Sequence, residues 1–177
     1  MTDGALQLNL NAGGGDTTAE TLIADALGVI GSVNGGTTLS LGAGTYAGGV
    51  LVTTSDLTIT GEGATVSVPR VSSSNPPFAE QGTGFTISAD NVTIDGLTIQ
   101  GPVTQDWRTA DWNFEALSWG IRVLNGSDNV NLTNNIISDV RNGILLDGRN
   151  TGSVTGNVID NTKSGISVQY TDAGLLN

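Results

Sequence analysis

The chain contains neither cysteine nor histidine. Without cysteine there is no disulfide frame and no thiolate nucleophile. Without histidine as well, the usual zinc and haem sites and the Ser-His-Asp arrangement lose their ligands or their base. Basic residues are scarce too, with 6 Lys and Arg against 17 acids and a net charge of −11. A surface of that sign repels phosphates, so nucleic acid is not an expected partner. No run approaches the roughly 20 apolar residues of a membrane span. The opening Met1-Thr-Asp-Gly lacks the basic segment of a signal peptide. Yet a single Lys with abundant Asn, Thr and Gly is the composition of a secreted bacterial surface protein. The expected location is extracellular or at the cell surface, with export that needs no N-terminal signal peptide. A glycine-rich calcium repeat would mark one such route, and none is found.

What is present fits one domain: 177 residues, 37% of them hydrophobic, which is enough to close a core. Leu6, Leu8 and Leu10 alternate with polar residues as in a half-buried strand. Ala19, Leu22, Ile23, Ala26, Leu27 and Ile30 then follow the spacing of an amphipathic helix over Thr17–Ile30. Thr17 and Glu20 form a capping box at its start, and Gly31 suits its end. Residues 1–36 are therefore read as a strand and a helix, and residues 37–177 as short strands.

Those strands repeat. Gly120-Ile-Arg-Val, Gly143-Ile-Leu-Leu and Gly165-Ile-Ser-Val recur at spacings of 23 and 22 residues, and Leu132-Thr-Asn-Asn-Ile-Ile137 realigns with Val154-Thr-Gly-Asn-Val-Ile159. A period near 22 that holds three short strands is the repeat of a parallel β-helix, in which inward residues stack into ladders. Three ladders are expected: Phe85, Ile121, Ile144 and Ile166; Ile94, Leu132 and Val154; Ile99, Ile137 and Ile159. Asn135 over Asn157 should form a structural amide ladder at a turn. The period is broken by inserts at 69–83 and 101–119, both before the same class of strand, so both should leave the coil at one corner. The second insert holds Trp107, Trp112, Phe114 and Trp119, half of the eight aromatics in the chain.

This pattern resembles the right-handed parallel β-helix proteins of the pectate-lyase-like superfamily over about residues 16–177. The resemblance rests on Asp90-Asn-Val-Thr-Ile-Asp-Gly-Leu-Thr-Ile99, on Leu132-Thr-Asn-Asn-Ile-Ile137, and on the helix followed by Gly36-Thr-Thr-Leu-Ser-Leu-Gly-Ala-Gly-Thr-Tyr46. It implies an all-β right-handed helix whose N-terminal helix caps the coil. It does not imply one function, since the superfamily includes lyases, hydrolases, epimerases, tail fibres and adhesins. The Asn-Thr-Asp, Asp-Asp and Gly-His-Gly segments of polygalacturonase-like hydrolases are absent, and so is the His-containing motif of alginate epimerases. A pectate-lyase mechanism needs a basic residue and calcium, and Arg is a poor base. Among the six cations Arg122 is the best placed: it points outward after the Trp-bearing insert, stacked between Thr86 and Leu145, with Ser167 beyond. Its plainer reading is a solvated or salt-bridged Arg.

Other candidates follow from residue type. Trp107, Trp112, Arg108 and Arg122 are the carbohydrate-binding candidates, because aromatic faces stack on sugar rings. Trp119, beside Gly120, is expected in the core. Glycosidase-like carboxylate pairs are available among Asp106, Asp111, Glu115, Asp139 and Asp147. Calcium takes only oxygen ligands, and Asp128, Asp147 and Asp160 lie at turns with Asn nearby, where a loose Ca2+ site is possible. The last coil has no capping element, so the chain is expected to continue beyond 177 or to associate end to end. The reading is thus a secreted structural or adhesive module contacting polysaccharide. A calcium-assisted lyase or epimerase and a self-assembling filament component are the alternatives.

Overall fold

The structure is a computed structural model that describes residues 6–10, 22–30, 36–70, 82–102, 106 and 118–169. Its strands make three parallel sheets. Sheet A joins β1 (Leu6–Leu10), β2 (Thr37–Leu41), β5 (Leu57–Thr60), β8 (Val92–Asp95), β11 (Val130–Thr133) and β14 (Gly152–Thr155). Sheet B joins β3 (Gly44–Ala47), β6 (Ala64–Ser67), β9 (Thr98–Gln100), β12 (Ile136–Ser138) and β15 (Val158–Asp160). Sheet C joins β4 (Val50–Val52), β7 (Gly82–Ile87), β10 (Ser118–Val123), β13 (Asn142–Asp147) and β16 (Ser164–Gln169). From β2 onward each strand pairs with the one three places later, so the chain winds through five three-sided coils.

The expected ladders are present, and longer than the sequence period showed. Leu8, Leu39, Ile59, Ile94, Leu132 and Val154 stack on sheet A. Tyr46, Val66, Ile99, Ile137 and Ile159 stack on sheet B, and Val50, Phe85, Ile121, Ile144 and Ile166 on sheet C. Most of these side chains are fully buried in one interior cluster. Tyr46 is fully buried in the first coil, where its hydroxyl lies 2.9 Å from the carbonyl of Gly42 and 3.0 Å from that of Leu10. A buried phenol needs such partners. The recurring Gly near the start of β7, β10 and β13 has a steric cause. A Cβ on Gly84, Gly120 or Gly143 would lie 2.5–2.6 Å from the carbonyl oxygen of the next coil's glycine and against an isoleucine methyl of sheet B.

Helix α1 (Leu22–Ile30) buries Ile23, Ala26 and Leu27 in the same cluster and packs on β3 and β4, over the first coil. Thr17, Glu20 and Gly31, its expected caps, lie outside the described residues. The corners are held by side chains. At the turn into sheet A, Asp56, Asn91 and Asn129 all adopt φ near +55 to +60°, which Asn and Asp tolerate best after glycine. Their side chains run coil to coil: Asn91 Nδ2 donates to Asp56 Oδ1 at 2.8 Å, and Asn129 Nδ2 to Asn91 Oδ1 at 3.0 Å. At the turn into sheet B, the expected Asn ladder forms. Asn135 Nδ2 donates to the Ile94 carbonyl and to Asn157 Oδ1, both at 3.0 Å, while Asn135 Oδ1 accepts from Leu97 N–H at 3.1 Å.

Candidate functional site

Both inserts connect a sheet B strand to the following sheet C strand, and the strands they lead into, β7 and β10, are hydrogen-bonded neighbours. Whatever the inserts do is therefore anchored at the start of sheet C. There the outer wall of the coil is unusual. Leu145 points away from the interior, in register with Arg122, yet it is 0% exposed. Trp119, in register with Thr83 and Asn142, is 7% exposed, and Thr83, Ser118 and Asn142 are buried with it. Thr83 Oγ1 lies 3.1 Å from Thr86 Oγ1, which places the Thr83 row and the Arg122 row on the same outer side. Neither Trp119 nor Leu145 belongs to the interior cluster. Trp119 is thus buried, as its place beside Gly120 suggests, but on the outside of the coil. Alternation from Ile121 would turn Trp119 inward, but the Cβ direction of Gly120 faces Ile137 in the interior, so the alternation breaks there and Trp119 faces out. For Leu145 alternation gives the direction and says nothing of what covers it.

Arg122 sits in this wall. Its Nη2 donates to Asp147 Oδ2 at 2.9 Å, with the two side chains 12% and 23% exposed. The partners belong to adjacent coils: Arg122 is in the middle of β10, and Asp147 ends β13, one strand over. A largely covered charge is expensive without a partner, and this pair supplies one. An Arg acting as base must give up a proton, and doing so here would break the ion pair. Thr86, Leu145 and Ser167 line its column as the period implies, and none is an acid or a base. The pair is better described as adjacent donor and acceptor groups with cancelling charge.

Arg141 is a further cation at this corner that sequence reasoning did not single out. It precedes β13, its N–H donates to Ser118 Oγ at 3.0 Å, and its carbonyl accepts from Lys163 and Ser164. Partial burial lowers its guanidinium from the ordinary value by desolvation. The signal that would have found it is its position next to Asn142, which stacks directly on Trp119.

The remaining candidates are dispersed. Trp107, Arg108, Trp112, Asp111 and Glu115 lie outside the described residues, and Asp106 is exposed. Asp139 occupies a corner at φ +57° and accepts from Asn161 Nδ2 at 2.7 Å. Of the three calcium candidates, Asp128 precedes sheet A and accepts from Thr151 Oγ1 at 3.0 Å. Asp147 is the partner of Arg122, and Asp160 is exposed at the end of sheet B. Among the described residues no three acidic side chains gather in a way that would hold a metal ion. Among them, too, no helix is long and apolar enough to cross a membrane.

A family model for the right-handed β-helix region matches residues 44–176. No curated protein matches the sequence. Among solved structures, the chain is similar to pectin methylesterase PemA from Erwinia chrysanthemi, with a TM-score of 0.57 and 15% identity over 92% of this chain and 54% of that one. It is also similar to a pectin methylesterase mutant in complex with a hexasaccharide, with a TM-score of 0.51 and 17% identity over 95% of this chain and 50% of the other. At these identities the likeness is one of fold. The chain spans about half the length of the structures it matches.

Proposed function

The chain belongs to the right-handed β-helix family, and from that premise we propose that it is a surface-displayed, polysaccharide-binding module. In this reading the stacked coils are a rigid support. The ligand is met at one place, the outer wall of sheet C and the 101–119 insert that leads into it. The observation that carries the reading is the Arg122–Asp147 pair beside the outer Trp119. A guanidinium edge and a carboxylate oxygen side by side offer a donor and an acceptor to neighbouring sugar hydroxyls, and the charges cancel. Trp107, Trp112 and Arg108 in the insert supply stacking and a further donor. The similar structure holding a hexasaccharide supports a carbohydrate partner.

Charge selects among glycans. At −11 the protein repels polyanions over the distance that salt leaves unscreened, so the ligand proposed is a neutral polysaccharide. Uronate polymers, the substrates of a calcium-assisted lyase, suit this surface less well. The test is affinity electrophoresis of the chain through gels containing neutral or uronate polysaccharides, together with ultraviolet detection of unsaturated uronate. Retardation by a neutral polymer, weakened by Trp107→Ala, Trp112→Ala or Asp147→Ala, is expected. Unsaturated product that disappears in Arg122→Ala would instead establish the lyase.

A second element of the proposal concerns the β16 end of the stack. Ile166 and Val168 lie in the inward columns of sheet C but are 53% and 69% exposed. In this reading the apolar end is a stacking face for another copy of the chain. Light scattering across a concentration series, with Val168→Lys as the comparison, tests it: association that the substitution abolishes is expected, and a concentration-independent monomer contradicts stacking between copies.

A further inference from the structure

The outer face of sheet A differs from the rest of the surface in its regularity. Six strands pair without a slip in register from β1 to β14. Two outward rows therefore run the length of the sheet. One is Gln7, Thr38, Thr58, Thr93, Asn131 and Ser153; the other is Asn9, Ser40, Thr60, Asp95, Thr133 and Thr155. In a chain with 17 acids, Asp95 is the one charged residue in these rows, and every other position carries a hydroxyl or an amide. Asp95 is itself drawn into the wall by Thr133 Oγ1 at 2.6 Å and Asn134 Nδ2 at 2.9 Å.

The two halves of the face use their hydroxyls differently. Toward β14 they are cross-linked, as Thr133 is to Asp95 and Ser153 Oγ is to Asn131 Oδ1 at 2.7 Å. Toward β2, the hydroxyls of Thr38, Ser40, Thr58, Thr60 and Thr93 have no protein partner among the described residues. The strand register sets the spacing of their Cα atoms, and in the four threonines the branched Cβ restricts χ1. The repeat is about 4.8 Å between strands and about 6.6 Å along a strand, two residues at 3.3 Å each. The result is a two-dimensional lattice of groups that each donate one hydrogen bond and accept two, with threonine methyls between them and no aromatic ring.

We infer that this face binds ordered water in the form of ice. The prism faces of hexagonal ice present oxygen rows with repeats in the same range along two perpendicular directions. A lattice of short hydroxyl side chains in unbroken register can complete such rows. A polysaccharide is the less suitable occupant, because the face has neither an aromatic platform nor a concave wall for a sugar. The inference is independent of the sheet C wall and of the proposal made for it.

The test is nanolitre osmometry of the 177-residue chain, reading the gap between melting and freezing points and the shape of the growing crystal. A non-colligative gap with faceted crystals is expected. It should be lost in Thr58→Tyr and in Thr93→Tyr, each checked for an unchanged circular-dichroism melt, with Thr60→Tyr replacing either one that misfolds. It should persist in Thr65→Tyr, which alters the outer wall of sheet B. Absence of any gap or faceting from the folded chain at millimolar concentration overturns the inference. So does a gap that survives both Thr58→Tyr and Thr93→Tyr, or one lost equally in Thr65→Tyr.

Discussion

At the scale of single residues, the corners of the coil are where one side chain matters most. Asn135 is fully buried and serves the Ile94 carbonyl, the Leu97 amide and the Asn157 side chain at once. Asn135→Ala leaves a buried donor and a buried acceptor unmatched, at about 1–3 kcal/mol for each unsatisfied group. Urea unfolding should show a loss of that order, larger than for Asn157→Ala, whose site is only half-buried. Gly143 makes a different demand. A methyl there would sit 2.5 Å from the Gly165 carbonyl oxygen and 2.7 Å from Ile159 Cγ2, so Gly143→Ala should cost about 1–3 kcal/mol through overpacking. A thermal melt reads it as a lower midpoint. The Arg122–Asp147 pair is best measured as a coupling. A double-mutant cycle of Arg122→Ala and Asp147→Ala should give an interaction of about 0.5–3 kcal/mol. That value should shrink in high salt less than an exposed pair's would, since both partners are largely covered.

At the scale of elements, much of the fold was legible because a strand alternates and a helix does not. The 22–23 residue recurrence placed Ile121, Ile144 and Ile166 in one column, Phe85 joined it across the 101–119 insert, and the structure keeps that column and extends it to Val50. The helix was legible from Leu22, Ile23, Ala26 and Leu27. Its role over the first coil came from resemblance rather than from periodicity. The site was less legible. Arg122 and Asp147 are 25 residues apart and meet diagonally across two coils, a relation that a column-by-column alignment does not contain. The burial of Leu145 on the outer wall was hidden because alternation gives a direction and not a cover, and the outward turn of Trp119 because the alternation breaks at Gly120. The Asp-Asn-Val segments at 90–92 and 128–130 did hold a readable signal for the Asn91–Asn129 corner ladder. The helix carries a prediction of its own. Ile23→Ala removes a fully buried side chain from the cap, at about 2–5 kcal/mol. Hydrogen exchange should then speed up first in β3 and β4, on which the helix packs.

At the scale of the whole molecule, the repeat creates three walls with different chemistry. Sheet A is a hydroxyl and amide lattice with one carboxylate, Asp95, and sheet C holds the ion pair and the outer Trp119. Sheet B shows Ile136 and Val158 side by side at its β15 edge. Neighbouring coils supply nearly all of one another's contacts, as in other solenoids, so a ligand on one wall has no evident need to disturb another. The proposed display and binding role draws on this repeat, and the proposed neutral glycan on the net charge of −11. The central claim, binding without chemistry at the sheet C wall, is tested most directly by native mass spectrometry of the chain incubated with neutral and uronate oligosaccharides. The account predicts a complex with a neutral oligosaccharide of unchanged mass, lost when Trp107 and Trp112 are both replaced by Ala. Absence of any complex, or an oligosaccharide whose mass changes during incubation, would contradict it.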